Sequence, residues 1–244
     1  MLERDNCYCL QDELYQSATH LLRTTSDNTG LAYLNGDLKR LFDRFVAWAL
    51  FIGSTPFTVV ALIAVLTADR HNPFIKLNFN NPVTEEDIAI WKIRSMLPNA
   101  QKREASVVMG SPLSDVKRTR SPDPRITNVG RILRRLSIDE TPQLAQAGLG
   151  RLALFGYHYF TDTDWELGLL PNKDIDPFSG FISAVKRGLQ PGFLGLYGIY
   201  ERSILTLNDR VGLEWLYSDR ANFFGNLRIL GHTVIAVLSQ RGAR

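Results

Sequence analysis

Two adjacent acids, Asp139 and Glu140, follow closely on a cluster of arginines that includes Arg125, Arg131, Arg134 and Arg135. These residue types suit phosphoryl chemistry. Arginine forks match the paired oxygens of a diphosphate. A carboxylate kept ionised by neighbouring cations can attack phosphorus. A second carboxylate can hold a hard cation such as Mg²⁺ through oxygen. The tetrapeptide Ser137-Ile138-Asp139-Glu140 also has a plainer reading. Serine followed three residues later by glutamate is a capping box, and acids in a first helical turn suit the helix dipole. Taken alone, the tetrapeptide reads as helix-start chemistry. The arginines shift the balance, because a helix start with free N–H groups beside guanidinium groups is an anion site.

The elements that must position these residues begin with an apolar run. Residues 45–68 carry no charge, and Lys39, Arg40 and Arg44 precede them while Arg70 and Lys76 follow. The run is long enough to cross a bilayer core. Ser54, Thr55 and Pro56 fall near its middle. Proline removes a backbone donor and clashes with the preceding turn, so a kink is expected at Ser54 and Pro56. The two hydroxyls can satisfy the carbonyls it frees, which makes the break tolerable in lipid. Basic flanks at both ends draw both toward the cytoplasm. A helix that bends back satisfies that pull, so the reading is a re-entrant element in one leaflet.

The soluble part reads as a strand ending near residues 92–96, a polar stretch at 101–120, a turn at 122–125 and a helix at 127–136. A second helix starts at Ser137. Residues 165–179 read as mostly loop and 191–198 as a tight glycine-rich segment. Helices follow at 207–217 and 223–238, the last apolar enough to lie in a membrane interface. Residues 12–23 fit a short amphipathic helix, with Leu14, Ala18, Leu21 and Leu22 on one face. The division is an N-terminal extension (1–36), a membrane helix (37–69) and a catalytic domain (70–244). The fold class is α/β with helices dominant: a re-entrant helix, a small soluble catalytic domain and interfacial amphipathic helices.

Composition narrows the function. Of the 244 residues, 45% are hydrophobic and 22% charged, enough to build an ordered core. The net charge of +3 is too small to argue for nucleic acid, but it suits anionic headgroups or phosphorylated substrates. Cys7 and Cys9 are too close for an ordinary disulfide and fit free thiols in a reducing cytoplasm. The polar N-terminus is no secretory signal.

Further residues carry a resemblance. Asp123-Pro124-Arg125-Ile126-Thr127, Val129-Gly130-Arg131, Leu133-Arg134 and Ser137 to Leu144 occur in order. So do Lys39-Arg40 with Asp43, Lys92-Ile93-Arg94-Ser95-Met96, and Pro191-Gly192-Phe193-Leu194-Gly195. With these motifs the chain resembles the bacterial sugar transferases, the monotopic polyprenyl-phosphate phosphoglycosyl transferases, over about residues 39–242. The resemblance implies that Asp139 attacks the β-phosphate of a UDP-sugar and expels UMP. Polyprenyl (undecaprenyl) phosphate would then take the sugar phosphate from the phosphoaspartyl intermediate. It implies Mg²⁺ bound with help from Glu140, and phosphate steadied by Arg134. Arg125, Arg131, His158 and Arg202 are the other expected substrate contacts. The implied setting is the cytoplasmic face of a bacterial inner membrane, among lipids and other polysaccharide-assembly proteins.

The chain also departs from the family pattern. Gly150-Arg151 stands for the usual Gly-Asp, and Gly156-Tyr157-His158-Tyr159 for a Gly-Pro-Arg-Pro. Leu213-Glu214 replaces a Leu-Asp, and Asn226 a later Asp. Tyr157, His158 or Tyr159 could stack on a base or belong to the core or a lid. These departures leave two other readings open. One is a non-catalytic relative acting as a membrane scaffold or regulatory partner in exopolysaccharide assembly. The other is a peripheral lipid- or nucleic-acid-binding protein using its arginines.

Overall fold

The computed structural model describes residues 12–22, 30–98, 100, 108–109, 118–119, 123–200 and 205–238. The chain begins with α1 (Asp12–Leu22) and α2 (Gly30–Leu34), followed by the long α3 (Asp37–Asp69). Strands β1 (Phe74–Asn81) and β2 (Glu86–Ile93) form an antiparallel hairpin, and β3 (Val108–Met109) and β4 (Arg118–Thr119) a second, shorter one. Then come α4 (Asn128–Arg135), α5 (Thr141–Gly148) and β5 (Ala153–Phe155). A short α6 (Asp162–Asp164) runs into a π-helical turn at Trp165–Leu169. After it come α7 (Phe178–Lys186), β6 (Gly192–Leu194), α8 (Leu207–Arg220) and α9 (Phe223–Leu238). Helices dominate, as the sequence leads one to expect. Residues 165–179 are more ordered than expected, because the capping box of Thr161 and Asp164 starts a helix there.

The helix α3 runs through Pro56 as one element. Ser54 Oγ and Thr55 Oγ1 each donate to the Phe51 carbonyl at 2.9 Å. The missing N–H of Pro56 frees the Ile52 carbonyl, and the two hydroxyls bond one residue before it, to Phe51. Arg70 ends the helix in a left-handed conformation, its N–H returning to the Leu66 carbonyl.

One side of α3 is committed to the domain along its whole length. Near its start, Lys39 pairs with Asp43 at 2.7 Å and donates to the Phe155 carbonyl at 2.8 Å. Asp43 accepts the N–H groups of Leu154 and Phe155 in β5. Further along, Ala47 joins the main core. Near the end, Ala61 and Val65 pack with Ile93 of β2 and Leu133 of α4. The opposite side presents Leu38, Leu41, Phe45, Ile52, Phe57, Val60 and Ile63 to the surroundings, each more than half exposed.

The main core gathers Phe155, Tyr157, Phe160, Trp165, Phe181, Leu213 and Tyr217 around the parallel pair β5 and β6. The pair is close where Gly156 meets Gly192: a Cβ on Gly192 would lie 2.3 Å from the Gly156 nitrogen. Residues 1–36 are not all an appendage. Ala18, Leu21 and Leu22 of α1 and Leu34 of α2 are buried in this core. Asn222 ties α1 down by donating to the Leu22 carbonyl.

Candidate active site

The site forms where α4 is clamped to the end of β2. Thr127 caps α4 by accepting the Gly130 N–H at 2.9 Å, while its own N–H donates to the Ser95 carbonyl at 3.2 Å. Leu97 N–H donates to the Arg125 carbonyl at 2.8 Å. Gly130 permits the approach: a Cβ there would sit 1.9 Å from the Ser95 carbonyl oxygen. One consequence is that Arg134, a turn later, donates from Nε to Ser95 Oγ at 2.8 Å.

The chain then reverses at Ser137, whose φ of 54° is left-handed. Ile138–Glu140 form a single 3₁₀ turn, and α5 begins at Thr141. The expected capping box is absent here. Ser137 makes no side-chain cap bond, and Glu140 reaches away to Lys92, Oε1 to Nζ 2.7 Å. The left-handed turn removes Ser137 from capping geometry, and an ammonium is a stronger partner for a carboxylate than a backbone N–H. The acids therefore lie in a turn ahead of α5. Thr141 fixes that turn by donating to the Ile138 carbonyl at 2.9 Å, and Thr58 of α3 donates to Thr141 Oγ1 at 2.9 Å. The apolar helix thus touches the segment that carries the acids.

Asp139 is buried. Burial, then the charge of Glu140, push its carboxyl up to about 6, against the opposing pull of Lys92 and Arg134. Desolvation outweighs the cations in setting this value. The group still ionises below neutral pH. Burial disfavours the Lys92 ammonium, yet the charge of Glu140 and the groups around it hold it above its ordinary range. Tyr159 adds a wall, with Lys92 Nζ 5.7 Å from its ring centre and Phe79 stacked on it at 4.6 Å.

The fold thus brings Asp139, Glu140 and Arg134 together and adds Lys92 and Ser95. Arg125 is placed differently. It is buried against Asp123, Nη2 to Oδ2 2.8 Å, where it holds that carboxyl below its ordinary range. Arg131 and Arg135 are exposed on α4. His158 is half-buried: its N–H donates to Glu214 Oε1 at 3.0 Å, and its ring lies against Tyr159 and Tyr197. Tyr157 belongs to the core, its hydroxyl accepting from Asn81 Nδ2 at 3.1 Å. Arg210 backs this wall, donating to the His158 carbonyl at 3.1 Å with its guanidinium 3.9 Å from the Phe160 ring centre. Arg202 lies outside the described residues. Ser54 and Pro56 sit within α3. Among the described residues, no three His, Cys, Asp or Glu side chains form a metal cluster. The adjacent oxygens of Asp139 and Glu140 nevertheless fit a hard cation, whose charge would offset their mutual repulsion.

Sequence reading gave Lys92 no role beyond its place in a motif, because its partner stands 48 residues away. The departures Glu214 and Asn226 also have structural places. Glu214 holds the backbone at His158, and Asn226 links the hydroxyls of Tyr217 and Tyr33.

Residues 34–240 match the family model described as bacterial sugar transferase. The exopolysaccharide production protein ExoY of Sinorhizobium fredii is 25% identical over 235 residues, covering 93% of this chain and 97% of that protein. The exopolysaccharide production protein PSS of Rhizobium leguminosarum bv. phaseoli is 33% identical over 211 residues, 83% of this chain and 96% of that one. The undecaprenyl-phosphate glucose phosphotransferase of Komagataeibacter xylinus is 30% identical over 210 residues, 84% of this chain but 36% of that longer protein.

Proposed function

Because the chain belongs to the bacterial sugar transferase family, we propose that it moves a sugar phosphate from a UDP-sugar to polyprenyl phosphate, with Asp139 as the nucleophile. The observation that carries this reading is the buried Asp139 carboxylate, set beside Glu140 and facing the charges of Lys92 and Arg134. An Asp139 oxygen attacks the β-phosphorus, and the bond to the bridging oxygen breaks. UMP leaves with that electron pair. A polyprenyl phosphate oxygen next attacks the same phosphorus. The phosphorus–aspartate bond breaks, the carboxylate is restored, and a lipid-linked diphosphosugar is released. Lys92 and Arg134 steady the anionic phosphate during both displacements. Mg²⁺ would be held by Glu140 with Asp139 beside it, and would supply charge neutralisation at the diphosphate.

The setting is the cytoplasmic face of a bacterial membrane, with α3 embedded from one side. Docking of both halves of α3 onto the same domain supports this, because a helix crossing the bilayer would carry one half away from that domain. His158, Tyr159 and Tyr197 form a wall that can contact the nucleotide in place of the usual Pro-Arg-Pro.

The test is UMP release across a panel of UDP-sugars with undecaprenyl phosphate and Mg²⁺, for the native protein and Asp139→Asn. Release from one donor, abolished in the variant, is expected. Core burial of Tyr157, where the family carries a pocket proline, favours the second reading of a non-catalytic scaffold in polysaccharide assembly. Folded native protein that releases UMP from no donor would point to that reading or to a donor with another nucleotide.

A further inference from the structure

The segment from Gly156 to Tyr159, which stands where the family has Gly-Pro-Arg-Pro, turns its backbone inward. Gly156 N–H donates to the Leu194 carbonyl and Tyr157 N–H to the Gln190 carbonyl, while the Tyr157 carbonyl accepts from Gly192 N–H at 2.8 Å. The His158 N–H goes to Glu214 Oε1 at 3.0 Å. Arg210 Nη2 takes the next two carbonyls, that of His158 at 3.1 Å and that of Tyr159. What this segment can offer a ligand is therefore its rings.

Arg210 also sets where the rings stand. Its guanidinium lies 3.9 Å from the Phe160 ring centre and 4.8 Å from that of Tyr197. One side chain thus ties residues 158–160 to the 3₁₀ turn Leu196–Gly198, which carries Tyr197. The rings follow one another from the acid site. Lys92, paired with Glu140, is 5.7 Å from the Tyr159 ring centre. His158 lies 4.5 Å from Tyr159, and Tyr197 lies 5.6 Å from His158. Phe79 stacks on Tyr159, whereas His158 and Tyr197 are only half-buried.

We propose that His158 and Tyr197 recognise the base of a nucleoside diphosphate donor by stacking, with Arg210 as the residue that positions them, so that the site accepts bases other than uracil. The proposal rests on the reading that this wall meets the nucleotide, and it deepens that reading. Every base has a π-face, so stacking tolerates all of them, with strengths that spread over about thirtyfold. A site built to hydrogen-bond one partner rejects others by about 10⁴-fold or more, because its buried polar groups are left unpaired. Here the peptide groups best placed to read a base edge already have partners within the protein.

The experiment is calorimetric titration of the detergent-purified full chain with UDP, CDP, ADP, GDP and inorganic pyrophosphate, each with Mg²⁺. The native protein is expected to bind the four nucleotides within about thirtyfold of one another, and all of them more tightly than pyrophosphate. Tyr197→Ala and Arg210→Met are each expected to weaken all four nucleotides by at least about fivefold and to leave pyrophosphate binding as it was. A merely structural role for Arg210 would lower nucleotide and pyrophosphate binding together. Should the buried Arg210→Met fail to fold, the half-buried Tyr197→Ala decides the matter. A wider preference for one base overturns the proposal. So does Tyr197→Ala binding nucleotides as the native protein does, or a native protein that holds no nucleotide more tightly than pyrophosphate. These readouts need no sugar-phosphate transfer, so a protein that binds nucleotides this way and releases no UMP sinks the transfer reading alone.

Discussion

At the scale of single residues, the site sets a buried acid against two cations. Asp139 loses hydration and faces Glu140, and both effects favour its protonated form. Lys92 and Arg134 oppose them. A nucleophilic carboxylate must be ionised, so UMP release is expected to fall as the pH drops below about 6, the value to which Asp139 is pushed. Lys92→Met removes a charge that favours ionisation. It is therefore expected to move this acid limb to higher pH as well as to lower the rate. A pH–rate profile of both proteins checks the point. A limb that stays in place while the rate falls would mean that Lys92 acts on the phosphate or on Glu140 but not on Asp139. Lys92 is exposed to only 18% and its ion pair with Glu140 is short, so this coupling is screened less than a surface pair.

At the scale of elements, the site depends on two junctions. The first is the clamp of α4 on the end of β2, which lets Arg134 reach Ser95. Gly130→Ala would force the two backbones apart at the 1.9 Å approach, and no flexible side chain is available to yield. Overpacking of this kind typically costs about 1–3 kcal/mol, so a lower melting temperature and a weakened rate are expected together. Thermal unfolding in detergent beside the UMP assay measures both. The second junction is the hydroxyl contact of Thr58 with Thr141, through which α3 meets the turn holding the acids. It ties the apolar helix to the segment that carries the acids.

At the scale of the whole molecule, the chain has one side that packs and one that stays bare. The exposed side of α3 is continuous and apolar, and α9 contributes Phe224, Leu227 and Ile235 to the exposed surface. A patch of this size on a folded protein marks a surface meant for lipid or a partner. Leu41→Gln, Phe45→Gln and Ile52→Gln together are expected to shift the protein from the membrane pellet toward the soluble fraction. These side chains are 66%, 73% and 67% exposed, so core burial changes little and the melting temperature is expected to hold. Fractionation with a melting curve on the same variant separates loss of membrane affinity from loss of fold.

Much of this was legible in residues 34–240 without coordinates. The charge-free stretch inside Asp37–Asp69 requires a long apolar helix, because only a helix satisfies its own backbone in lipid. Helices at 128–135, 207–220 and 223–238 follow from local pattern, and the nearness of Asp139 and Glu140 to Arg134 follows from their closeness in sequence. Tertiary structure decided what local pattern cannot reach. Ser137 and Glu140 have the spacing of a capping box, yet a left-handed turn and a lysine 48 residues upstream take them out of it. Arg125 looks like a phosphate ligand until Asp123 buries it. The early helices look like an appendage until α8 and α9 supply their core. The physical reason is the same in each case. Propensity and periodicity act over a few residues, whereas a carboxylate's partner and protonation state depend on which distant groups share its desolvated space.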